Sequence, residues 1–384
     1  MAKKDTEYRG FEQGPIRPPS EARSLLIRVT RNCPWNRCAF CPVYKGTRFS
    51  LRPKEHVIRD IDAVHAHVEA LRGSSEDGGN IPAAAVEKPR TSDESELAAF
   101  QAAVHWSLGN MESVFLQDAN SLLMPPEDLV DILHHIQRRF PWVHRVTSYA
   151  RSHTIARISD EDLAAMATAG LNRIHIGLES GCDEVLKRVS KGVDRATHIK
   201  AGKKVKAAGI ELSEYVMPGL GGRTLSDAHA DDTADALNRI DPDFIRLRTL
   251  AVPAQTPLAD QMAAGTFEKM TDVETAAEIR RFLAGLSGIT SWIASDHILN
   301  LFEEIEGRLP EDKPRMLDAL DRFLALPAEE QMLYQVGRRL GLFARVEDLA
   351  SANRRRRAED ACRRFGITPA NADQAIDELM RRFI

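Results

Sequence analysis

The chain has 384 residues, 43% of them hydrophobic and 28% charged, with a formal net charge of −4. That is the composition of a globular protein long enough for one large domain and an appendage. It excludes a global basic field of the kind that draws proteins to nucleic acid. No run approaches the ~18 apolar residues of a membrane span, and the polar N-terminus does not read as a secretory signal, so the sequence predicts a cytoplasmic protein.

In chain order, short apolar runs at 25–30, 113–117, 143–148, 173–178, 211–217 and 244–250 predict six strands. Between them lie amphipathic stretches with helix signals. Pro125-Pro126-Glu127-Asp128 opens one, Ser159 with Asp162 three residues on opens the next, and Gly170 closes it. Strands alternating with helices predict a parallel sheet with right-handed crossovers. The segment 73–96, rich in Gly, Ser, Pro and charge, predicts a mobile insertion. After Pro257 the strand signals cease, and the remainder reads as helical, with one helix opening at Ser295-Asp296-His297 and Asn300. The predicted division is an N-terminal extension over 1–21, a core over 22–257 and a helical region over 258–384.

Strand faces refine this. In the fourth strand Ile174, Ile176 and Leu178 oppose Arg173, His175 and Glu179; in the sixth, Ile245 and Leu247 oppose Phe244, Arg246 and Arg248. A sheet sandwiched between helices should be apolar on both faces. One charged face predicts a curved sheet whose concave side lines a polar cavity. The predicted fold class is therefore α/β, a partial (β/α)6 TIM-like barrel with a helical C-terminal region.

Three of the five cysteines, Cys33, Cys38 and Cys41, fall within nine residues directly after the first strand. An odd count with one tight group does not make a disulfide framework, and in a reducing compartment such a group binds metal. Three thiolates on one loop suit a cubane iron–sulfur cluster in which one iron keeps an open site. Zinc held by the same cysteines, in a binding or redox-sensing module, is the alternative. Cys182 and Cys362 stand alone and read as small buried side chains.

A three-cysteine loop after the first strand of a partial barrel resembles the radical S-adenosylmethionine superfamily, with the methylthiotransferase and oxygen-independent coproporphyrinogen oxidase type of core. Further segments carry the likeness: Gln117-Asp118-Ala119-Asn120, Ile176-Gly177-Leu178-Glu179-Ser180-Gly181, and Met217-Pro218-Gly219-Leu220-Gly221-Gly222, each at a strand's carboxyl end, where parallel α/β folds build sites. The spacing C-x4-C-x2-C departs from the family's usual C-x3-C-x2-C, and QDAN replaces its Gly-Gly-Glu motif.

The resemblance implies a [4Fe–4S] cluster on Cys33, Cys38 and Cys41, S-adenosylmethionine chelated at the open iron, and a 5′-deoxyadenosyl radical that abstracts hydrogen. It implies an electron donor such as flavodoxin or ferredoxin. Phe40 is expected against the adenine, with Gln117, Asn120 and Met217 lining the cofactor. Asp118 and Glu179 suit its amine, Arg151 its carboxylate and Ser148 its ribose. Arg246 and Arg248 suit a small anionic substrate, and Tyr215, Tyr149 and His175 are candidate proton or hydrogen donors near it. The expected activity is a radical oxidoreductase or mutase; modification of RNA is the alternative within the family, with Arg354–Arg357 read as a solvated helix face.

Overall fold

The computed structural model describes residues 7–73, 89 and 91–380 of the chain. They form two compact units. One comprises Met1–Asn36, Val43–Ile176 and Ala201–Leu212; the other comprises Arg37–Pro42, Gly177–Lys200 and Ser213–Ile384.

The first unit holds β1 (Leu25–Arg28), β2 (Ser113–Gln117), β3 (Arg145–Ala150) and the first six residues of β4 (Leu171–Glu179). All pair in parallel and in chain order, with Leu25 beside Val114, Val114 beside Val146 and Ser148 beside Ile174. Parallel neighbours need crossovers. These are helices Lys54–Gly73 and Glu94–Ser107 between β1 and β2, Pro126–Arg139 between β2 and β3, and Ser152–Ile155 with Asp160–Thr168 between β3 and β4. Helix Pro126–Arg139 buries Leu129, Ile132, Leu133 and Ile136, a stripe at helical spacing that faces a core. Trp106 and Phe140 meet edge to face at 4.9 Å, and the Trp106 indole donates to the Ser113 carbonyl at 3.0 Å, so the large ring is buried without orphaning its N–H. A two-residue antiparallel ladder, Thr30–Arg31 with Ser50–Leu51, brackets the chain between them.

The second unit holds the last three residues of β4, then β5 (Glu211–Val216) from Ser213, β6 (Phe244–Leu247), β7 (Trp292–Ala294) and β8 (Gly307–Arg308). Strands β5, β6 and β7 are parallel, and β8 is antiparallel to β7. Helix Asp272–Gly285 begins with a capping box of Thr271 and Glu274. Toward the C-terminus Phe302, Phe323, Tyr334 and Phe343 form an aromatic core. Neither unit closes into a barrel, and the mostly parallel sheet with helices is the α/β class expected. No described helix is long and apolar enough to cross a membrane.

All six predicted strands are present, with ends displaced by up to three residues. Three expectations need correction. Residues 258–384 are mainly helical but add β7 and β8, which are too short to show a period of two. Ser295 to Asn300 form no helix: Ser295 donates to the Phe302 carbonyl at 2.5 Å, and Asn300 donates to the Leu247 carbonyl at 2.8 Å while accepting from Thr249 N–H at 2.9 Å. Side-chain bonds of this kind compete with helical ones. The proposed insertion is also shorter than 73–96. Gly73 ends a helix, and Asp93 caps the next by accepting from Ser95 and Glu96 N–H; 74–88 and 90 lie outside the described residues. The Ser159 cap is as expected, accepting from Asp162 N–H at 3.0 Å.

Gly181 makes the tightest demand on the helix that follows β5. A Cβ there would lie 2.2 Å from the Asp232 carbonyl oxygen and 2.7 Å from Thr233 Cα, both backbone atoms of helix Gly222–Ile240. Gly181→Ala should therefore cost about 1–3 kcal/mol. Urea denaturation reads this directly, and an unchanged midpoint would show that the helix can retreat without penalty.

Candidate functional site

In the first unit the functional candidates gather around Asp118, at the carboxyl end of β2. Its carboxylate is fully buried and accepts from Arg28 Nε at 2.9 Å, Asn32 N–H at 3.0 Å and the Tyr44 hydroxyl at 3.0 Å; Arg28 Nη2 stands 2.7 Å away. Burying a carboxylate is costly unless donors surround it, and Arg28, Asn32 and Tyr44 supply them here. Burial first, and Asp118 second, push the Tyr44 hydroxyl's pKa far up, so Tyr44 remains a donor across the physiological range. Asn32 and Tyr44 flank the cysteine stretch. One carboxylate thus holds both ends of that stretch.

Within it, Asn32 (φ 68°) and Asn36 (φ 47°) take left-handed backbone on either side of Cys33, a conformation asparagine tolerates better than most residues. Asn36 N–H points at Cys33 Sγ at 3.4 Å, and the Asn36 amide donates to the Tyr44 carbonyl. Cys33 counts with the first unit; Cys38 and Cys41 count with the second, where Cys41 N–H meets the Cys38 carbonyl at 3.4 Å. None of the three is in a disulfide and all are half-buried, while Cys182 and Cys362 are buried. Among the described residues no three His, Cys, Asp or Glu side chains converge as ligands of a single ion. A cubane does not ask for that, because each thiolate ligates a different iron.

The other candidates of this unit serve as braces. Gln117 accepts from Gly14 N–H at 2.8 Å and donates to the Ile16 carbonyl at 2.6 Å, fastening the N-terminal segment. Gly14 itself lies so close that a Cβ would stand 2.0 Å from Asp118 Oδ1. Asn120 donates to Thr154 at 2.8 Å and accepts from Arg151 N–H at 3.1 Å. The Arg151 guanidinium lies over the Trp35 ring at 5.0 Å. Ser148 is buried on β3, donating to the Tyr149 carbonyl at 3.1 Å. His175 is buried against Tyr149 and 3.4 Å from the buried Glu21.

In the second unit Phe40, Glu179 and Met217 come together. Phe40 packs on the apolar cluster that contains Met217, Cys182 and Leu220. Met217 N–H donates to the Glu179 carbonyl at 3.0 Å. Lys191 links the group, 3.0 Å from Glu179 Oε1 and 5.8 Å from the Phe40 centroid. Tyr215 is buried one strand from Arg246, its register partner. Arg246 is buried and paired with Asp296 at 2.5 Å, with Ser213 at 3.2 Å; Arg248, just past β6, is exposed. Its charge, after burial, helps lower the pKa of His297 to about 4. Arg28, Tyr44 and Lys191 carry no motif and were not read as site residues, and Asp296 was read only as part of a helix start. Only the placement of charge in apolar strands marks Arg28.

The profile of the Radical SAM superfamily matches residues 27–234. A curated relative, the tRNA uridine(34) acetyltransferase of Methanocaldococcus infernus (strain DSM 11812 / JCM 15783 / ME), is 23% identical over 141 residues, 36% of this chain and 26% of that one. The chain thus matches about a quarter of that relative's length. Among solved structures, methylornithine synthase is 13% identical with a TM-score of 0.42, covering 72% of this chain and 66% of that one. Coproporphyrinogen III oxidase of Escherichia coli is 13% identical with a TM-score of 0.41, covering 62% and 46%.

Asp118→Ala leaves Arg28 and the loop-end donors without their shared acceptor. The expected cost is roughly 3–5 kcal/mol of stability, measured by chemical denaturation. Iron content after anaerobic reconstitution should fall further than in Arg151→Ala, which removes a contact outside the Asp118 hub. Equal iron retention in the two variants would show that Asp118 does not organise the cysteine stretch.

Proposed function

We propose, on the premise that the chain belongs to the radical SAM superfamily, that Cys33, Cys38 and Cys41 hold the [4Fe–4S] cluster that this superfamily uses with S-adenosylmethionine. The reaction we infer is hydrogen abstraction from a small anionic molecule, in an oxidoreductase or mutase supplied with electrons by a flavodoxin- or ferredoxin-like donor. The observation that carries the reading is the loop itself: three half-buried thiols outside any disulfide on nine residues, with a backbone N–H aimed at Cys33 Sγ. Cysteines ligate iron as thiolates, one to each iron of a cubane. When bound and reduced, the cluster supplies the electron that splits the sulfonium of S-adenosylmethionine.

The remaining roles belong to the chain's own side chains. Glu179 offers a carboxylate to the cofactor's amine, Phe40 and Met217 an apolar wall to its adenine, and Arg151 a guanidinium to its carboxylate; Ser148 serves its ribose. Gln117, Asp118 and Asn120 hold the surrounding backbone. Arg246, with Tyr215 as its neighbour, is the anchor for the substrate's anionic group, which would replace Asp296 in a like-for-like exchange of carboxylates. Arg248 adds positive field at the strand end.

Anaerobic reconstitution with iron and sulfide, reduction, and assay for 5′-deoxyadenosine tests the class. Each of Cys33→Ala, Cys38→Ala and Cys41→Ala should abolish cluster absorption and cofactor cleavage. Cys182→Ala and Cys362→Ala should leave both in place, since burial raises the pKa of each thiol and keeps it from ligating. Zinc as the dominant metal after anaerobic purification would overturn the assignment.

A second reading, RNA modification, draws on the tRNA acetyltransferase relative. It predicts salt-sensitive binding of purified tRNA, and salt-insensitive or absent binding would remove it.

A further inference from the structure

One buried histidine has no task in this scheme. His229, on helix Gly222–Ile240 of the second unit, is almost fully buried. Its Nδ1 lies 2.8 Å from the Ser180 hydroxyl and its Nε2 3.1 Å from the Met217 carbonyl. Ser180 follows Glu179 directly, and Met217 N–H already donates to the Glu179 carbonyl at 3.0 Å. A single ring thus spans the end of β4 and the turn after β5.

The partners settle where its hydrogen lies. A carbonyl can only accept, so Nε2 carries the hydrogen that faces Met217. In the uncharged ring Nδ1 is then an acceptor, and the Ser180 hydroxyl donates to it. That hydroxyl oxygen accepts in turn from Cys182 N–H at 3.0 Å. Thr233, four residues on from His229, accepts from Gly181 N–H at 2.8 Å. Residues four apart share a helix face, so the two side chains grip residues 180–182 together. Glu278, on helix Asp272–Gly285, holds the other turn. It accepts from Gly219 N–H at 2.7 Å and from the Ser226 hydroxyl at 2.6 Å, with His229 Nε2 3.7 Å away.

The gripped backbone is strained. Glu179 has φ 63°, and Ser180 N–H bonds back across it to the Leu178 carbonyl at 2.8 Å. A bond closed over one residue of positive φ is the rare, strained form of the γ-turn. Such backbone persists only where surrounding structure over-determines it. The turn carries the Glu179 carboxylate, 3.0 Å from Lys191 Nζ, and Gly177 leaves the pair room: a Cβ there would stand 2.3 Å from Glu179 Oε1. We propose that His229 is a positioning residue for the cofactor: by bridging Ser180 and Met217 it holds the strained Glu179 turn in register with the Met217 wall. Without the bridge the turn relaxes toward ordinary backbone, and its carboxylate leaves the place where it meets the cofactor's amine. His229 itself makes no bond to the cofactor. The inference rests on the reading that Glu179 and Met217 face the cofactor.

His229→Phe keeps a ring in place and removes both bonds. Calorimetric titration of S-adenosylmethionine into the anaerobically reconstituted variant should show affinity weaker by roughly ten- to a hundredfold, because release of such strain leaves the binding-competent turn in the minority. Cluster absorption should stay at the wild-type level, since His229 bonds to none of Cys33, Cys38 and Cys41. In protein without a cluster, amide hydrogen exchange at Ser180 and Cys182 should quicken in the variant, a readout independent of the cofactor. His229→Gln, which retains a donor for Met217, should recover part of the affinity. Phe302→Leu, in the C-terminal aromatic core, should lose stability yet bind S-adenosylmethionine as the wild type does. Should His229→Phe fail to fold, Ser180→Ala removes the hydroxyl half of the bridge and carries the same test. With Glu179→Gln impaired, the bridge would be overturned and the Glu179 reading left intact by any of three results: wild-type affinity in His229→Phe, His229→Gln as weak as His229→Phe, or an equal loss in Phe302→Leu. Unimpaired binding by Glu179→Gln would overturn that underlying reading instead.

Discussion

A buried carboxylate has to be surrounded by donors, and in the first unit that requirement organises everything near the cysteines. Asp118 sits at the end of β2 with no exposed surface. It draws in the Arg28 guanidinium from β1, the Asn32 N–H immediately before Cys33, and the Tyr44 hydroxyl three residues after Cys41. Strand pairing alone would bring β1 beside β2. The direction in which the chain leaves β1, and the point to which it returns, follow from the oxygens of this one side chain. Gln117, next to it, secures the N-terminal segment, and Gly14 gives that segment the clearance to lie against Asp118.

Much of this was legible in the sequence. The alternation of apolar runs and helix caps located all six expected strands, because each buried strand leaves a short apolar run between helix signals. The cysteine spacing singled out its loop without reference to any fold. Other features were not legible, and the reasons are specific. The strand Trp292–Ala294 is too short for a periodic signal, and the polar run before Asn300 imitates a helix cap while its side chains bond elsewhere. The charged face of the sheet was recognised, but not that its charges have partners within the protein. Arg173 bonds to Glu211, His175 lies beside Glu21, and Arg246 pairs with Asp296. Partner choice between residues distant in sequence leaves no periodic trace.

Two buried acids are treated in opposite ways. Asp118 is satisfied several times over, which is the arrangement of a structural anchor. Glu214, in equally complete burial, has no side-chain donor, and only the Leu178 backbone favours its anion by hydrogen bonding. Proteins rarely leave such groups, and an exception asks for a reason in function, bound water or strain. The neighbouring left-handed glutamate and the glycine that makes room for its ion pair are further departures from local preference within the same few residues. Local rules tend to be broken together where a site demands it.

The arrangement at Asp118 also bears on how the loop between Asn32 and Tyr44 behaves when its cysteines carry nothing. Its ends are joined by bonds that do not involve a single sulfur atom. Bringing together the ends of a flexible segment of about ten residues costs on the order of 2 kcal/mol in chain entropy, and here folding has already met that cost. On the proposed assignment, iron lost to oxidation would leave behind a closed loop rather than a loose strand. Refilling then has only the thiols left to arrange, so repair of the site is a local event rather than a second act of folding.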